Sequence, residues 1–198
     1  MEKEFNEKES LQLITGMIAA AKGNIKKGAG KNFLLWGYLI CAASAAHFII
    51  VNFATSQIVR TDLIWIGVTI LGIVISLIMG FRDHGKREVT TYVGSISLHI
   101  WSGFMVCLIA FLILAQGEAG WYTYSIITLL YTFALYISTA VLRLRWMYLS
   151  VAVCVICLLL YRVLPFNYYP LLMAVVMLAG NIIPGHFLNY KAKRENNV

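Results

Sequence analysis

The sequence predicts an all-α integral membrane protein, a bundle of six transmembrane helices preceded by a cytoplasmic amphipathic helix at the interface. Three observations lead there. Of 198 residues, 60% are hydrophobic and 13% charged, against about 45–50% and about 25% in soluble domains. The apolar residues fall in continuous blocks of about 20, the length that spans about 30 Å of hydrocarbon at about 1.5 Å per residue. Finally, 14 of the 16 lysines and arginines fall in segments that six successive spans place on one side, as expected for cytoplasmic loops. Continuous blocks, rather than alternating ones, exclude a transmembrane β-barrel.

The first 32 residues form a charged N-terminal segment without an early apolar core and small-residue cleavage site, so no cleavable signal is expected and the first span acts as an uncleaved signal-anchor. Within it, residues 6–27 read as an amphipathic helix. Leu11, Ile14, Ile18 and Ile25 share one face, with Leu13, Met17 and Ala21 beside it. Asn6 and Glu9 have the spacing of a capping box, Glu7 and Glu9 lie near the positive end of the helix dipole, and Lys26 and Lys27 lie near the negative end. Gly28-Ala29-Gly30 is expected to break this helix before the first span. Two roles compete for it: an interfacial helix held by lysines to anionic headgroups, and a docking helix for a partner or for the bundle's own cytoplasmic face.

A transmembrane domain covers 33–190, with spans near 33–54, 62–81, 91–115, 121–141, 146–164 and 169–190, and residues 191–198 form a basic cytoplasmic tail. The spans leave no room for a separate soluble catalytic domain. Six basic residues precede the first span, Arg82, Lys86 and Arg87 follow the second, Arg143 and Arg145 the fourth, and Lys191, Lys193 and Arg194 the sixth; only Arg60 and Arg162 fall opposite. Both termini are therefore expected in the cytoplasm, the location being the plasma (inner) membrane. Topology and anionic lipid at the cytoplasmic face account for the net charge of +7, and no nucleic-acid partner is expected. Trp36 and Tyr38, Trp121, Tyr122 and Tyr124, Trp146 and Tyr148, and Tyr168 and Tyr169 fall near span ends, where amphipathic rings favour the headgroups.

Helices in lipid associate through close packing and hydrogen bonds. Gly72, Ser76 and Gly80 make a small-residue face on the second span, Cys41 to Ala46 are all small on the first, and Thr128, Thr132 and Thr139 line one side of the fourth. No aspartate or glutamate falls inside a span, which argues against a carboxylate-coupled pump. The candidate site residues are instead neutral. Tyr92, Ser95, His99 and Ser102 share one stripe of the third span, and a polar stripe is expected to face protein rather than lipid. It serves either as interhelical hydrogen bonding or as a cavity lining. In the sixth span Gly180-Asn181-Ile182-Ile183-Pro184-Gly185-His186 marks a kink or a broken helix of the sort that lines ligand sites. Only His99 and His186 lie at depths that would let them share a ligand; His47 sits in the opposite half.

Cys41, Cys107, Cys154 and Cys157 lie inside spans and read as free thiols. Cys154 and Cys157 have dithiol spacing but sit mid-span among Val, Ile and Leu, where packing is the expected role. Arg82-Asp83-His84-Gly85-Lys86-Arg87-Glu88 is the densest charged stretch, and it matches no known catalytic spacing. No metal or cofactor is expected. The sequence leaves open a small-solute or ion transporter or channel subunit, a non-catalytic scaffold, sensor or regulatory subunit acting through its N-terminal helix, and an intramembrane enzyme acting on lipid, quinone or thiol. A homo-oligomer or a membrane partner protein fits the first two.

Overall fold

The computed structural model describes residues 7–53, 61–84, 92–114, 122–142 and 144–195, with side chains described over 30–53, 63–82, 94–114, 122–142, 144–191 and 193–194. Every element is helical: α1 (Glu7–Phe53), α2 (Thr61–His84), α3 (Tyr92–Leu114), α4 (Tyr122–Leu142), α5 (Met147–Leu160), a 3₁₀ turn (Phe166–Tyr168), α6 (Tyr169–Met177), a π turn (Leu178–Ile182) and α7 (Ile183–Glu195). Among the described residues five stretches are long and apolar enough to cross a membrane: Gly30–Phe53, Leu63–Arg82, Gly94–Leu114, Tyr122–Leu142 and Phe166–Lys191. Each lies within about three residues of a span expected from the sequence.

Three expectations change. The fifth block, expected as a span over 146–164, is helical only over Met147–Leu160, 14 residues, or about 21 Å. Its chain then tightens into a turn at 161–164 and enters Pro165 in extended geometry. The break expected at Gly28-Ala29-Gly30 does not occur; α1 runs unbroken for 47 residues. A helical glycine costs only about 1 kcal/mol relative to alanine, and here tertiary packing uses the missing side chain. A Cβ at Gly30 would meet the carboxamide of Asn189, with Cγ at 2.9 Å. Finally, the sixth block is neither broken nor simply kinked. α6 continues through the π turn into α7, and the Ile183 N–H reaches back to the Leu178 carbonyl. The wider turn sits immediately before Pro184, which has no N–H to give the ladder.

The packed centre consists of α1, α4, α5 and the α6–α7 rod. Leu135, Met147, Val176, Met177 and Leu188 are fully buried there. α1 and the rod run antiparallel in close contact. Gly30 faces Asn189 and the Gly185 carbonyl, Gly37 faces Asn181 and Ile182, and Gly185 faces Leu34 at 2.8 Å from where its own Cβ would stand. At the far end Asn167 Nδ2 donates to Asn52 Oδ1 at 2.9 Å. Small residues let the two backbones approach, which is how helices gain contact where lipid removes the hydrophobic drive. α4 and α5 form a hairpin closed by the Met147 N–H to Leu144 carbonyl bond at 3.0 Å.

α2 and α3 lie outside this core. α2 rests on α1, with Gly72 buried beneath the Trp36 ring. α3 rests on α4 and α1 through Trp101 and Phe104, whose rings contact Phe33 and Tyr131. Their remaining surfaces are exposed and largely apolar, as lipid-facing helices require.

Candidate functional site

Polar groups are gathered at three levels along the bundle. At the Asn52–Asn167 end, α1 brings His47 against α2 and α4. Trp65 Nε1 donates to His47 Nδ1 at 2.9 Å. A nitrogen that accepts an indole N–H carries no proton, and the Tyr124 hydroxyl, 2.8 Å away, shares its single lone pair with that N–H. The ring is thereby held as the Nε2–H tautomer. Tyr124 packs against Trp65, Tyr161, Phe166 and Tyr169. Beneath it, Thr128 is hydrogen-bonded to the Tyr161 hydroxyl at 3.2 Å, and the Tyr169 hydroxyl donates to the Tyr161 carbonyl at 2.6 Å.

At mid-depth the π turn presents Asn181 to α4. The Tyr131 hydroxyl donates to Asn181 Oδ1 at 3.0 Å, and Asn181 Nδ2 points at Met177 Sδ, 3.4 Å away. Both residues are almost wholly buried. Gly180 makes this possible: a Cβ there would collide with the Tyr131 hydroxyl and stand 2.9 Å from its Cε1. At the Gly30–Asn189 end, Tyr38 and His186 are hydrogen-bonded at 2.7 Å on the exposed seam between α1 and α7.

The sequence candidates therefore separate. Asn181 meets Tyr131, Pro184 is fully buried, and His186 meets Tyr38. The α3 stripe goes elsewhere. Ser95, His99 and Ser102 are all exposed on the side of α3 away from the core, contrary to the expectation that they face protein within the chain. His99 Nδ1 donates to the Ser95 carbonyl at 2.7 Å, and Ser102 Oγ donates to the His99 carbonyl at 3.1 Å, so both bonds stay inside the helix. His99 and His186 share no contact among the described residues. The inward side of α3 is aromatic instead, since Trp101 and Phe104 fill the space against Tyr131. The Tyr92 side chain lies outside the described residues, as do those of Leu11, Ile14, Ile18 and Ile25 and most of the 82–88 charged stretch.

The expected small-residue face of α2 is used only in part. Gly72 packs under Trp36, Ser76 is half-buried with its hydroxyl unpartnered, and Gly80 faces open space. Thr128, Thr132 and Thr139 are all buried. Cys154 and Cys157 are buried free thiols, with Cys154 Sγ packed 4.0 Å from the Val176 carbonyl. Among the described residues no three histidine, cysteine, aspartate or glutamate side chains come together.

Sequence reasoning missed the His47 cluster. Tyr124 and Tyr169 fall at span ends, where aromatic rings favour the headgroup region, yet both are buried in the core. The signal available was His47 itself, a lone imidazole in an apolar block, which calls for donors from neighbouring helices.

No protein-family model, curated protein or solved structure matches the chain.

Proposed function

We propose that the chain is a non-catalytic multi-pass membrane subunit that crosses the bilayer six times with both termini in the cytoplasm and presents the N-terminal part of α1 to a partner at the membrane surface. The observation that carries this is the continuity of α1. Its 47 residues extend about 70 Å, more than twice the hydrocarbon thickness. The apolar stretch begins at Gly30, so about 35 Å of helix continues beyond it. A helix collinear with a span leaves the surface, whereas an interfacial helix must turn to lie in it. Docking thus needs no rearrangement of α1, and the apolar stripe at positions 11, 14, 18 and 25 has the spacing of a helix that packs on another. The interior supports the same conclusion. His47 with Trp65 and Tyr124, Thr128 with Tyr161 and Tyr131 with Asn181 pair across helix contacts, the pattern of structural glue. Three antiparallel steps carry the chain: α1 runs opposite to α2, α4 opposite to α5, and α1 opposite to the rod, which supports the even number of crossings.

A small-solute pathway is the second interpretation, favoured by the π turn at Leu178–Ile182, since such turns recur at functional sites.

Photocrosslinking residues placed singly at Leu11, Ile14 and Ile18, and at Gln12 and Gly16 on the far side of the helix, test the proposal in native membranes. Cross-links to one protein, confined to the first three positions, are expected. Cross-links to lipid alone at the same positions would return α1 to the interface. Solute uptake into vesicles holding the purified chain, lost on Asn181→Ala, would favour the pathway.

A further inference from the structure

We propose that two copies of this chain associate within the membrane through the outward face of α3, with His99 and its flanking serines at the contact. The proposal rests on the membrane setting but is independent of what docks on α1.

Ser95, His99, Ser102 and Val106 follow one another at intervals of four, three and four, which places them on one stripe of a helix. All are exposed, and the opposite side of α3 carries Trp101 and Phe104 against the core. The stripe is therefore the outermost line of the helix. His99 lies inside the apolar stretch Gly94–Leu114, about 7.5 Å from its start. An imidazole at that depth almost always faces protein.

The ring's orientation says what it needs. A carbonyl only accepts, so Nδ1, 2.7 Å from the Ser95 carbonyl, holds the ring proton. Nε2 is then a bare acceptor on the outward side. Hydrocarbon offers it no donor, and leaving it unpaired is costly. The donor that fits is a hydroxyl; that of Ser102 is spent on the His99 carbonyl, and Ser95, a turn before His99 on the same stripe, carries the other.

The stripe thus holds both halves of its own hydrogen-bond pattern. A two-fold axis along the membrane normal sets it against itself, each His99 facing Ser95 of the second copy. Such an isologous contact closes at two subunits. Copies inserted with one topology are already parallel, as this axis requires. Close approach is available too, because Ser95 and Ser102 are small and a Cβ at Gly103 would meet nothing within 4 Å.

The test uses the full chain in lipid vesicles at high lipid excess. Cysteines are placed at Ser95 or Ser102 in a background carrying Cys41→Ser and Cys107→Ser, then oxidised. A species of about twice 22.2 kDa is expected for both, and not for Ile70→Cys or Leu77→Cys, which are also exposed, on α2. In parallel, energy transfer between labelled copies reports association as lipid is added. His99→Leu is expected to weaken it roughly tenfold, the loss for two symmetry-related interhelical hydrogen bonds, while His99→Gln keeps most of it. His99 touches nothing in the core, so these variants fold as the parent does, and retained cross-linking between native partners of the rod, such as Asn52→Cys with Asn167→Cys, verifies that. Equal cross-linking from α2, transfer that vanishes on dilution for the parent chain, unchanged association of His99→Leu, or cross-links from Ser102→Cys to a different protein in native membranes would each overturn the proposal.

Discussion

Replacing Tyr131 with Phe removes one oxygen and leaves the ring seated over Gly180 and against Phe104, 6.3 Å between centroids. What it takes away is the donor to Asn181 Oδ1 at 3.0 Å. Asn181 is 3% exposed, so no water replaces the hydroxyl. An interhelical bond of this type is worth on average about 0.6 kcal/mol and at most about 1.7 in a bilayer, and an orphaned buried acceptor costs about 1–3 kcal/mol. The expected destabilisation for Tyr131→Phe is about 1–2 kcal/mol. Asn181→Ala keeps the Cβ that packs on Gly37 and removes only the carboxamide. With both partners gone nothing polar is left unpaired, so the double variant should lose less than the two singles together, by about 1 kcal/mol. Unfolding in mixed micelles by increasing sodium dodecyl sulfate, followed by tryptophan fluorescence, measures all four corners of this cycle. A coupling indistinguishable from zero would show that the Tyr131–Asn181 contact does not hold α4 to the rod.

Gly72→Ala and Gly80→Ala differ by a single methyl placement and should diverge. At Gly72 the new Cβ would stand 2.7 Å from the Trp36 ring and cost about 1–3 kcal/mol of overpacking, while at Gly80 it meets nothing and leaves unfolding unchanged or slightly improved. Cys154 and Cys157 are buried free thiols and should stay unmodified by a membrane-permeant maleimide until sodium dodecyl sulfate unfolds the chain; early labelling of the two, read by intact mass, would contradict their burial. Ser44 is fully buried with its hydroxyl unpartnered, so Ser44→Ala should stabilise the chain by up to about 1 kcal/mol, and a loss of similar size in the same unfolding assay would reveal a partner for that oxygen.

Length and composition carried the spans well because a bilayer fixes both the length and the polarity of what crosses it, and Leu63–Arg82 or Gly94–Leu114 can be read without knowing any neighbour. Faces are harder. α3 is apolar all round apart from its stripe, so its sequence says where the polar line is but not which side the core takes; the space against Tyr131 and Phe33 is filled by Trp101 and Phe104, and that choice is tertiary. The same holds for Gly30. Local rules make glycine a helix breaker, and only the approach of Asn189 and Gly185 from a segment more than 150 residues later turns it into a contact. Tyr124 resembles any aromatic at a span end until His47 supplies the acceptor that draws it inward. Pro184 was informative in sequence because its missing N–H is a property of the residue itself; the form of the response, a π turn that carries Asn181 toward Tyr131, depended on α4.

The polar contacts have a common address. His47 ties α1 to α2 and α4, Asn52 ties α1 to the 3₁₀ turn, and Tyr38 ties it to α7, while glycines at 30 and 37 seat it against the rod. α1 is therefore gripped from Gly30 to Asn52, nearly the whole of its apolar length. A helix that must slide or rotate to carry a signal would have to release several of these at once, each glycine contact being too close to tolerate a changed register. A helix that must only stay in place gains from every one. The grip on the lower part of α1 and the uninterrupted ladder above it together make a fixed post, and a fixed post suits the anchoring of a partner better than the relay of its movement.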